Sequence, residues 1–536
     1  MRREFIAFSI LTPILVIAIG LFLWKPMYWV LIVLIPIILL GIYDMTQPKH
    51  SLMRTFPILG RGRYIMEALR PKMYQYFIES DLNGRPFNRI NRSIIYQRAK
   101  QVLDTAPYGT QLDVYSEGYE WMHHSIKALD HHTLSSDPRV LIGGKDCKQP
   151  YTSSVFNVSA MSFGSLSKNA IHALNKGAKE GSFAHNTGEG GISPYHLEAG
   201  GDLIFQFGTA YFGCRDTDGK FSVERFREKA SLPQVKMIEV KLSQGAKPGH
   251  GGILPAKKNT NEIAAIRNIE PGKDVLSPPF HTAFTTPVGL LEFLLELRTL
   301  SNGKPVGFKL CIGARYEFLA ICKAMIQMDI YPDFISIDGA EGGTGAAPLE
   351  FSNSVGMPFR EGLAFAYNCL RGFGLQDEIK LIASGKILTG FDIFRAHALG
   401  ASVCYSARAM MMALGCLQAL ECNKNTCPTG VATQNPELVA GLDIKDKSKR
   451  VLHYQRESVE SFVELMAAAG VTAPGEIDRS MVYRRLNMHE SKPYSFIYPY
   501  IPVGSLLDED NSPTDWRLDM ELADENSFQP KFSIKN

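Results

Sequence analysis

A chain of 536 residues is long enough for two to four domains or for one elaborated barrel. Its formal net charge is only +3 and no long run of like charges appears, so a nucleic-acid partner has no electrostatic support. Its Cys 9, single except for one cluster, make no disulfide framework and suit a reducing compartment.

Two apolar stretches open the chain. Residues 5–24 carry no charge, and neither do residues 27–43. At about 1.5 Å per residue they make helices of about 30 and 25 Å, enough to cross a bilayer core, the second only just. Lys25-Pro26 between them predicts a turn. In one continuous helix Lys25 would sit mid-bilayer, at a cost of about 2.5–3.5 kcal/mol. Arg2 and Arg3 precede the first span, and Lys49, Arg54, Arg61 and Arg63 follow the second. The positive-inside rule then places both ends, and the catalytic part, in the cytoplasm, anchored to the cell membrane. Trp24, Tyr28, Trp29 and Tyr43 fall where interfacial aromatics belong. A membrane hairpin over 1–45 is preferred to a signal peptide, which would be shorter and followed by a small-residue cleavage site, and to a buried core hairpin.

Residues 46–150 form a mixed segment, with helices predicted near 63–80 and 91–104 and no chemistry assigned. Beyond it, apolar runs recur at 155–162, 182–186, 203–207, 236–242, 306–310, 333–338, 379–384 and 402–406. Each is followed by a Gly-rich or polar turn and then a helical stretch. Strands alternating with helices predict a parallel sheet, and this many units predict an α/β fold, a (β/α)8 TIM barrel over 151–490. Residues 491–536 are left as a tail. A doubly wound open sheet is the alternative, weakened because no GxGxxG follows the first strand.

Chemistry in such barrels sits at the carboxyl ends of the strands. Those ends carry Met161-Ser162, Asn186-Thr187, Gln206, Lys241 with Gln244, Lys309, Asp338, Ser384-Gly385 and Ser406. A polar, partly basic ring suits an anionic cofactor and substrate. Surface loops would be polar too, but three Gly-rich loops accompany this ring: Asn186-Thr-Gly-Glu-Gly-Gly191, Gln244-Gly-Ala-Lys-Pro-Gly-His-Gly-Gly252 and Asp338-Gly-Ala-Glu-Gly-Gly-Thr-Gly-Ala346. Glycine lets backbone N–H groups approach an anion or a flat ring closely. Ser384-Gly385-Lys386 and Ser406-Ala-Arg408 follow the seventh and eighth strands, where barrels often hold a phosphate. That suggests flavin mononucleotide (FMN) or a phosphorylated substrate. Lys309 could set positive charge beside the N1–C2 edge of a flavin, or simply form an ion pair at the mouth.

Near the end of the barrel come Cys416, Cys422 and Cys427, the last followed by proline. Thiolates this close repel unless a cation holds them. Cysteine runs with a trailing proline hold iron–sulfur clusters. Three ligands leave open a cluster with one iron missing, a zinc ion completed from elsewhere, or three unrelated buried thiols.

Several of these motifs, in this order, resemble the synthase domain of glutamate synthases. They are Ser159-Ala-Met-Ser-Phe-Gly-Ser-Leu-Ser167, Asn186-Thr-Gly-Glu-Gly190, Gln244-Gly-Ala-Lys-Pro-Gly249, Ser277-Pro-Pro279, Gly342-Gly-Thr-Gly-Ala346 and Cys427-Pro-Thr-Gly-Val-Ala-Thr-Gln434. The likeness runs from about 150 to about 490, and the whole chain looks like the stand-alone, membrane-tethered members of that family. The resemblance implies a (β/α)8 barrel carrying FMN and a three-iron (3Fe-4S) cluster on Cys416, Cys422 and Cys427. It implies flavin contacts at Ala160, Met161, Ser162, Gln206, Lys309 and Gly343, with the phosphate at Ser384, Gly385, Lys386, Ser406 and Arg408. A 2-oxoglutarate pocket is implied around Met161, Glu189, Lys247 and Lys257.

Two departures stand out. His250 occupies a place where the family's full-length enzymes carry an acidic residue. The chain is also expected to lack the family's N-terminal glutaminase and C-terminal β-helix domains. Nitrogen would then arrive as free ammonium, as an amine, or from a separate ammonia-supplying subunit. The reading is reductive amination of 2-oxoglutarate to glutamate, with electrons from a ferredoxin-like donor. The alternatives are a related flavin enzyme acting on another oxo-acid or an N-methylated amine, a membrane-bound electron-transfer or sensory module, and a flavin-free barrel enzyme on a phosphorylated substrate.

Overall fold

The computed structural model describes residues 1–102, 105–508 and 512–532. They fall into two compact units, Met1–Ile90 and Asn91–Asn536. The expected helix over 91–104 ends in 103 and 104, which lie outside the described residues, as do 509–511 and 533–536 of the expected tail.

In the first unit, α1 (Arg2–Phe22) and α2 (Val30–Thr46) are joined through a 3-10 turn at Lys25–Trp29. Pro26 opens that turn, where its missing N–H breaks no helical bond. Both helices are long and apolar enough to cross a membrane. Their outer faces leave Leu11, Ile14, Phe22, Ile32 and Val33 exposed. Near the end of α2 the buried Asp44 accepts the Ile58 N–H at 3.0 Å and pairs with Arg61 at 2.6 Å. A helix at Leu59–Met73 continues into a π turn at Tyr74–Ile78.

The second unit is built on a closed barrel of parallel strands, each paired with the next in the chain and the last with the first. The strands are β1 (Phe156–Val158), β2 (His185–Asn186), β3 (Leu203–Phe207), β4 (Val235–Lys241), β5 (Val306–Leu310), β6 (Phe334–Asp338), β7 (Lys380–Ser384) and β8 (Val403–Ser406). Every run expected from the sequence is one of these strands. The open doubly wound sheet is excluded, because β4 pairs with β5 and β8 with β1.

Major helices return between strands: α3 (Lys168–Gly181), α4 (Val223–Ala230), α5 (Pro287–Leu300), α6 (Arg315–Met328), α7 (Phe359–Gly372), α8 (Gly390–Ala398) and, after β8, the long α9 (Ile444–Ala469). Their starts are set by local chemistry. The Ser167 hydroxyl accepts the Ala170 N–H at the head of α3, and Asp443 accepts the Asp446 N–H at the head of α9. α9 ends at Gly470, whose φ of 79° an L side chain rarely adopts.

The barrel interior is layered. Its floor is apolar: Ala184, Ile204, Met237, Phe334, Ile382 and Val403 pack with Ile142. Ile142 lies on a short strand, Arg139–Ile142, that pairs antiparallel with Tyr151–Ser154. Above the floor the inward positions turn polar, at Asn186, Gln206, Glu239 and Ser336. Period-two alternation makes this switch on a single strand, since Met237, Glu239 and Lys241 share one face of β4.

The segment before the barrel and the chain after α9 are tied together. Glu120–Met122 pairs antiparallel with Val482–Arg485, which also pairs with Ser491–Pro493. Glu120 is buried, bonds Arg360 at 2.9 Å, contacts Arg395, and accepts the Tyr494 hydroxyl at 2.8 Å. Further on, Trp516 stacks on Phe365 of α7, with ring centroids 5.2 Å apart.

Candidate active site

The mouth of the barrel is lined by buried cations held by fixed anions. Lys309 ends β5 and lies 3.5 Å from Asp338 at the end of β6. Lys241 ends β4 and pairs with Glu189 at 2.8 Å. Asp338 also accepts the Gly245 N–H at 2.9 Å and the Ser384 hydroxyl at 3.0 Å. Lys247 is buried and donates to the Ala346 carbonyl at 2.8 Å. Burial pushes its pKa down to about 8, against the pull of Glu189. Burial would raise the Glu189 carboxyl, but Lys241, Lys247 and Arg267 hold it below its ordinary value.

The loops after β4 and β6 interlock. A Cβ on Gly245 would lie 1.6 Å from the Gly339 carbonyl oxygen, so only glycine lets the two backbones pass. This gives Gly245 a reason other than the close approach to a ligand expected from the sequence. His250 lies edge-on to Phe351, with ring centroids 5.3 Å apart, so it joins the same pair of loops.

Met161 is buried, and its carbonyl lies 3.2 Å from Nε2 of His196. Ser162 donates its hydroxyl to Ser165 at 3.0 Å, and Ala160 is half-buried beside them. Across the mouth, Gly385 (φ 148°) and Lys386 (φ 53°) make a turn that L side chains rarely adopt. The hydroxyls of Ser384 and Ser406 are committed to protein: the first goes to Asp338 and the second to the Ile387 carbonyl at 2.7 Å. On that side the Gly385–Lys386 backbone turn faces the Arg408 guanidinium, which itself donates to the Glu341 carbonyl. A Cβ on Gly343 would lie 2.8 Å from Arg408 Nε, so the glycine backbone rests directly on the guanidinium. This donor set fits a phosphate-bearing cofactor whose ring gains negative charge on reduction: Arg408 for the phosphate, Lys309 and Gln206 for the ring.

The cysteine loop is wound tightly. Gln418, Leu420 and Asn425 all have positive φ, at 57°, 57° and 65°. Such conformations are uncommon for side-chain-bearing residues and gather at functional sites. Burial pushes the Cys416 thiol up to about 12 and raises Cys422. Burial works the same way on Cys427, but N–H groups of Ala432, Thr429 and Val431 and the Thr429 hydroxyl bring it below its ordinary value. Donors aimed at one sulfur suit a thiolate ligand. The neighbouring Cys422 and Cys427 sulfurs add to the upward push on Cys416. The loop is braced from two sides: the Tyr96 hydroxyl donates to the Cys416 carbonyl at 2.7 Å, and buried Lys258 donates to the Cys422 carbonyl at 3.0 Å.

Lys257 does not join Lys247. It is exposed, and its carbonyl accepts Asn425 Nδ2 at 3.3 Å, beside the cysteine loop. Three residues that sequence reasoning passed over enter the site. Arg267 is buried, donates to the Phe163 carbonyl at 3.1 Å, and adds positive charge near Glu189. His281 is held neutral by burial, with its pKa near 4, between the Lys241 carbonyl at 2.9 Å and the Tyr211 hydroxyl at 3.2 Å. Glu239 lies inside the barrel. Its signal was a lone carboxylate in the apolar run Met237-Ile-Glu-Val240, two residues before Lys241 and so on the same face.

A parallel barrel with charged groups converging at the carboxyl ends of its strands is an enzyme scaffold. Residues 91–472 match the model for the conserved region in glutamate synthase, and the chain belongs to the glutamate synthase family, oxidoreductases acting on CH–NH2 donors. It is 38% identical over 497 residues to the glutamate synthase large subunit-like protein YerD of Bacillus subtilis, covering 85% of this chain and 94% of that one. It is 37% identical over 317 residues to the archaeal glutamate synthase [NADPH] of Methanocaldococcus jannaschii, spanning 59% of each. Among solved structures, the recombinant flavin-binding domain of baker's yeast flavocytochrome b2 aligns with a TM-score of 0.42 and 13% identity, over 78% of this chain and 85% of that one.

Proposed function

We propose that the chain reductively aminates 2-oxoglutarate to glutamate, using ammonia and electrons from a ferredoxin-like one-electron donor. The observation that carries this reading is the buried Lys247 beside the Lys241–Glu189 pair at the barrel mouth. A neutral carbonyl is its only hydrogen-bond acceptor among the described residues, so an incoming carboxylate would be the stronger partner. When bound, FMN would supply the hydride for reduction and an iron–sulfur cluster would supply single electrons.

The chain's own residues bind and orient. Lys247 takes the carboxylate of the oxo-acid, and Met161 and Glu189 flank it. Lys241 keeps Glu189 ionised, so Glu189 can accept a hydrogen bond from the incoming ammonia or amine. Lys309 offsets negative charge on the reduced ring, and Gln206, Gly343 and the Gly385–Lys386 turn hold the cofactor with Arg408. Cys416, Cys422 and Cys427 would ligate the iron. Fixing the reacting carbon in one pose can supply several kcal/mol of the barrier.

Purified protein should show flavin bands over a broad iron–sulfur absorbance. After reduction with dithionite, 2-oxoglutarate plus ammonium should reoxidise it within turnover time. Reoxidation by 2-oxoglutarate with methylamine but not with ammonium, together with reduction of the oxidised flavin by an N-methylated amine, would transfer the reading to an amine oxidoreductase.

The N-terminal helices support a membrane anchor with the barrel in the cytoplasm. The expected result is that sodium carbonate leaves the protein in the membrane pellet while detergent releases it. Release by carbonate would reject the anchor.

A further inference from the structure

Glu239 is the odd charge of the barrel interior. It is fully buried in the middle of β4. Its Oε1 accepts Asn186 Nδ2 of β2 at 2.8 Å and Gln206 Nε2 of β3 at 2.5 Å, and its Oε2 accepts the Ser336 hydroxyl of β6. Three donors on three strands meet both oxygens of the carboxylate. Two other carboxylates at the mouth have cations: Asp338 has Lys309, and Glu189 has Lys241. Among the described residues no cation pairs with Glu239. A hydroxyl lies nearby with no partner of its own, Tyr405 Oη of β8, which is buried and feels the Glu239 charge.

We infer that Glu239 is a positioning residue for the redox cofactor: a fixed, unpaired anion that aims Gln206 and opposes the positive charge of Lys309. The inference rests on the FMN reading above. Gln206 turns its amide nitrogen to Glu239, so its amide oxygen is the atom left for a donor on the cofactor. Asp338 and Glu189 are each offset by a lysine, whereas the Glu239 carboxylate is met by hydrogen-bond donors alone. A negative charge held in a low-dielectric interior disfavours the anionic reduced form of a flavin and drives electrons onward to the substrate.

Glu239→Gln tests the charge alone. A glutamine oxygen can accept from both Asn186 and Gln206 while its amide donates to Ser336, so all three hydrogen bonds survive. The expected result is a more positive midpoint potential for bound FMN, measured by dye-equilibration titration, with the absorbance of a fully loaded protein. Ser336→Ala removes one hydrogen bond and keeps the charge, so it should leave the potential where it is even if the melting temperature falls. Glu239→Asp keeps the charge but draws it back from Gln206. It should hold the potential near wild type and loosen FMN about tenfold, the loss expected for one hydrogen bond to a charged group. That variant keeps the inference open to refutation if Glu239→Gln does not fold. A flavin-loaded Glu239→Gln protein with the wild-type potential would overturn the electrostatic role, and Glu239→Asp binding FMN as tightly as wild type would overturn the aiming of Gln206. Wild-type protein that neither carries nor takes up FMN would overturn the flavin reading itself, and this inference with it.

Discussion

Replacing Lys247 by alanine is expected to lower kcat/KM for 2-oxoglutarate by roughly 10^2- to 10^4-fold while leaving bound flavin in place. The size follows from the site: removing one partner of a buried charge pair costs about 3–5 kcal/mol, because the remaining charge is stranded away from water. The substrate carboxylate would be that stranded charge, next to Glu189 and with Lys241 already committed at 2.8 Å. The same residue predicts a pH profile. Burial holds the Lys247 pKa near 8, so the free enzyme carries an ammonium below that pH and a neutral amine above it. Carboxylate binding needs the ammonium, so kcat/KM for the oxo-acid should fall about tenfold per pH unit above pH 8. Bound carboxylate favours the ammonium, so the fall in kcat should begin at higher pH. Lys247→Arg should restore much of the affinity and lose the alkaline fall, because a guanidinium does not titrate there. Wild-type kcat/KM in Lys247→Ala, or an unchanged alkaline limb in Lys247→Arg, would remove Lys247 from the substrate site.

Much of this arrangement was readable before any coordinates. Most strands of the barrel carry an apolar run, because both of their faces are buried, and these runs end in the polar residues that now meet at the mouth. Lys309, Asp338 and Gln206 were found that way. The same habit hid Glu239, since attention to strand ends passes over a charge in mid-strand. Period-two alternation was the available clue: an inward Met237, then Glu239, then Lys241. Arg267 and His281 were hidden for another reason. They lie in connections far from any strand end, and only the closed barrel brings them to Glu189 and Lys241. Adjacent lysines posed a register problem. In the 3-10 turn at Ala256–Lys258, neighbours point in different directions, so Lys258 is buried against the cysteine loop while Lys257 faces solvent. Nothing in two consecutive lysines says which is which. The pairing of Glu120–Met122 with Val482–Arg485 was equally illegible, because short strands more than three hundred residues apart have no local signature.

Substitution of Cys427 by alanine is expected to abolish turnover driven by a one-electron protein donor and to leave dithionite-driven chemistry intact. Cys427 is the most buried of the three cysteines and the one whose sulfur gathers donors, from the N–H groups of Ala432, Thr429 and Val431 and from the Thr429 hydroxyl. Those donors stabilise a thiolate, and a thiolate is what iron needs. Without that sulfur, two ligands remain on a loop already wound through left-handed conformations at Gln418, Leu420 and Asn425. The strain has then lost the bonds that would justify it, so the loop should relax and iron should leave. The expected measurements are iron per protein falling to background, the broad absorbance disappearing, and the flavin bands remaining. Dithionite reduces flavin directly, so 2-oxoglutarate with ammonium should still reoxidise the variant. A milder change separates ligation from packing: Thr429→Val keeps the shape and removes the hydroxyl 3.5 Å from Cys427 Sγ. Loss of such an outer partner should weaken cluster retention about 10- to 100-fold without unfolding the barrel. If Cys427→Ala keeps its iron and its donor-driven rate, the thiols of this loop are buried side chains and electrons enter by another route.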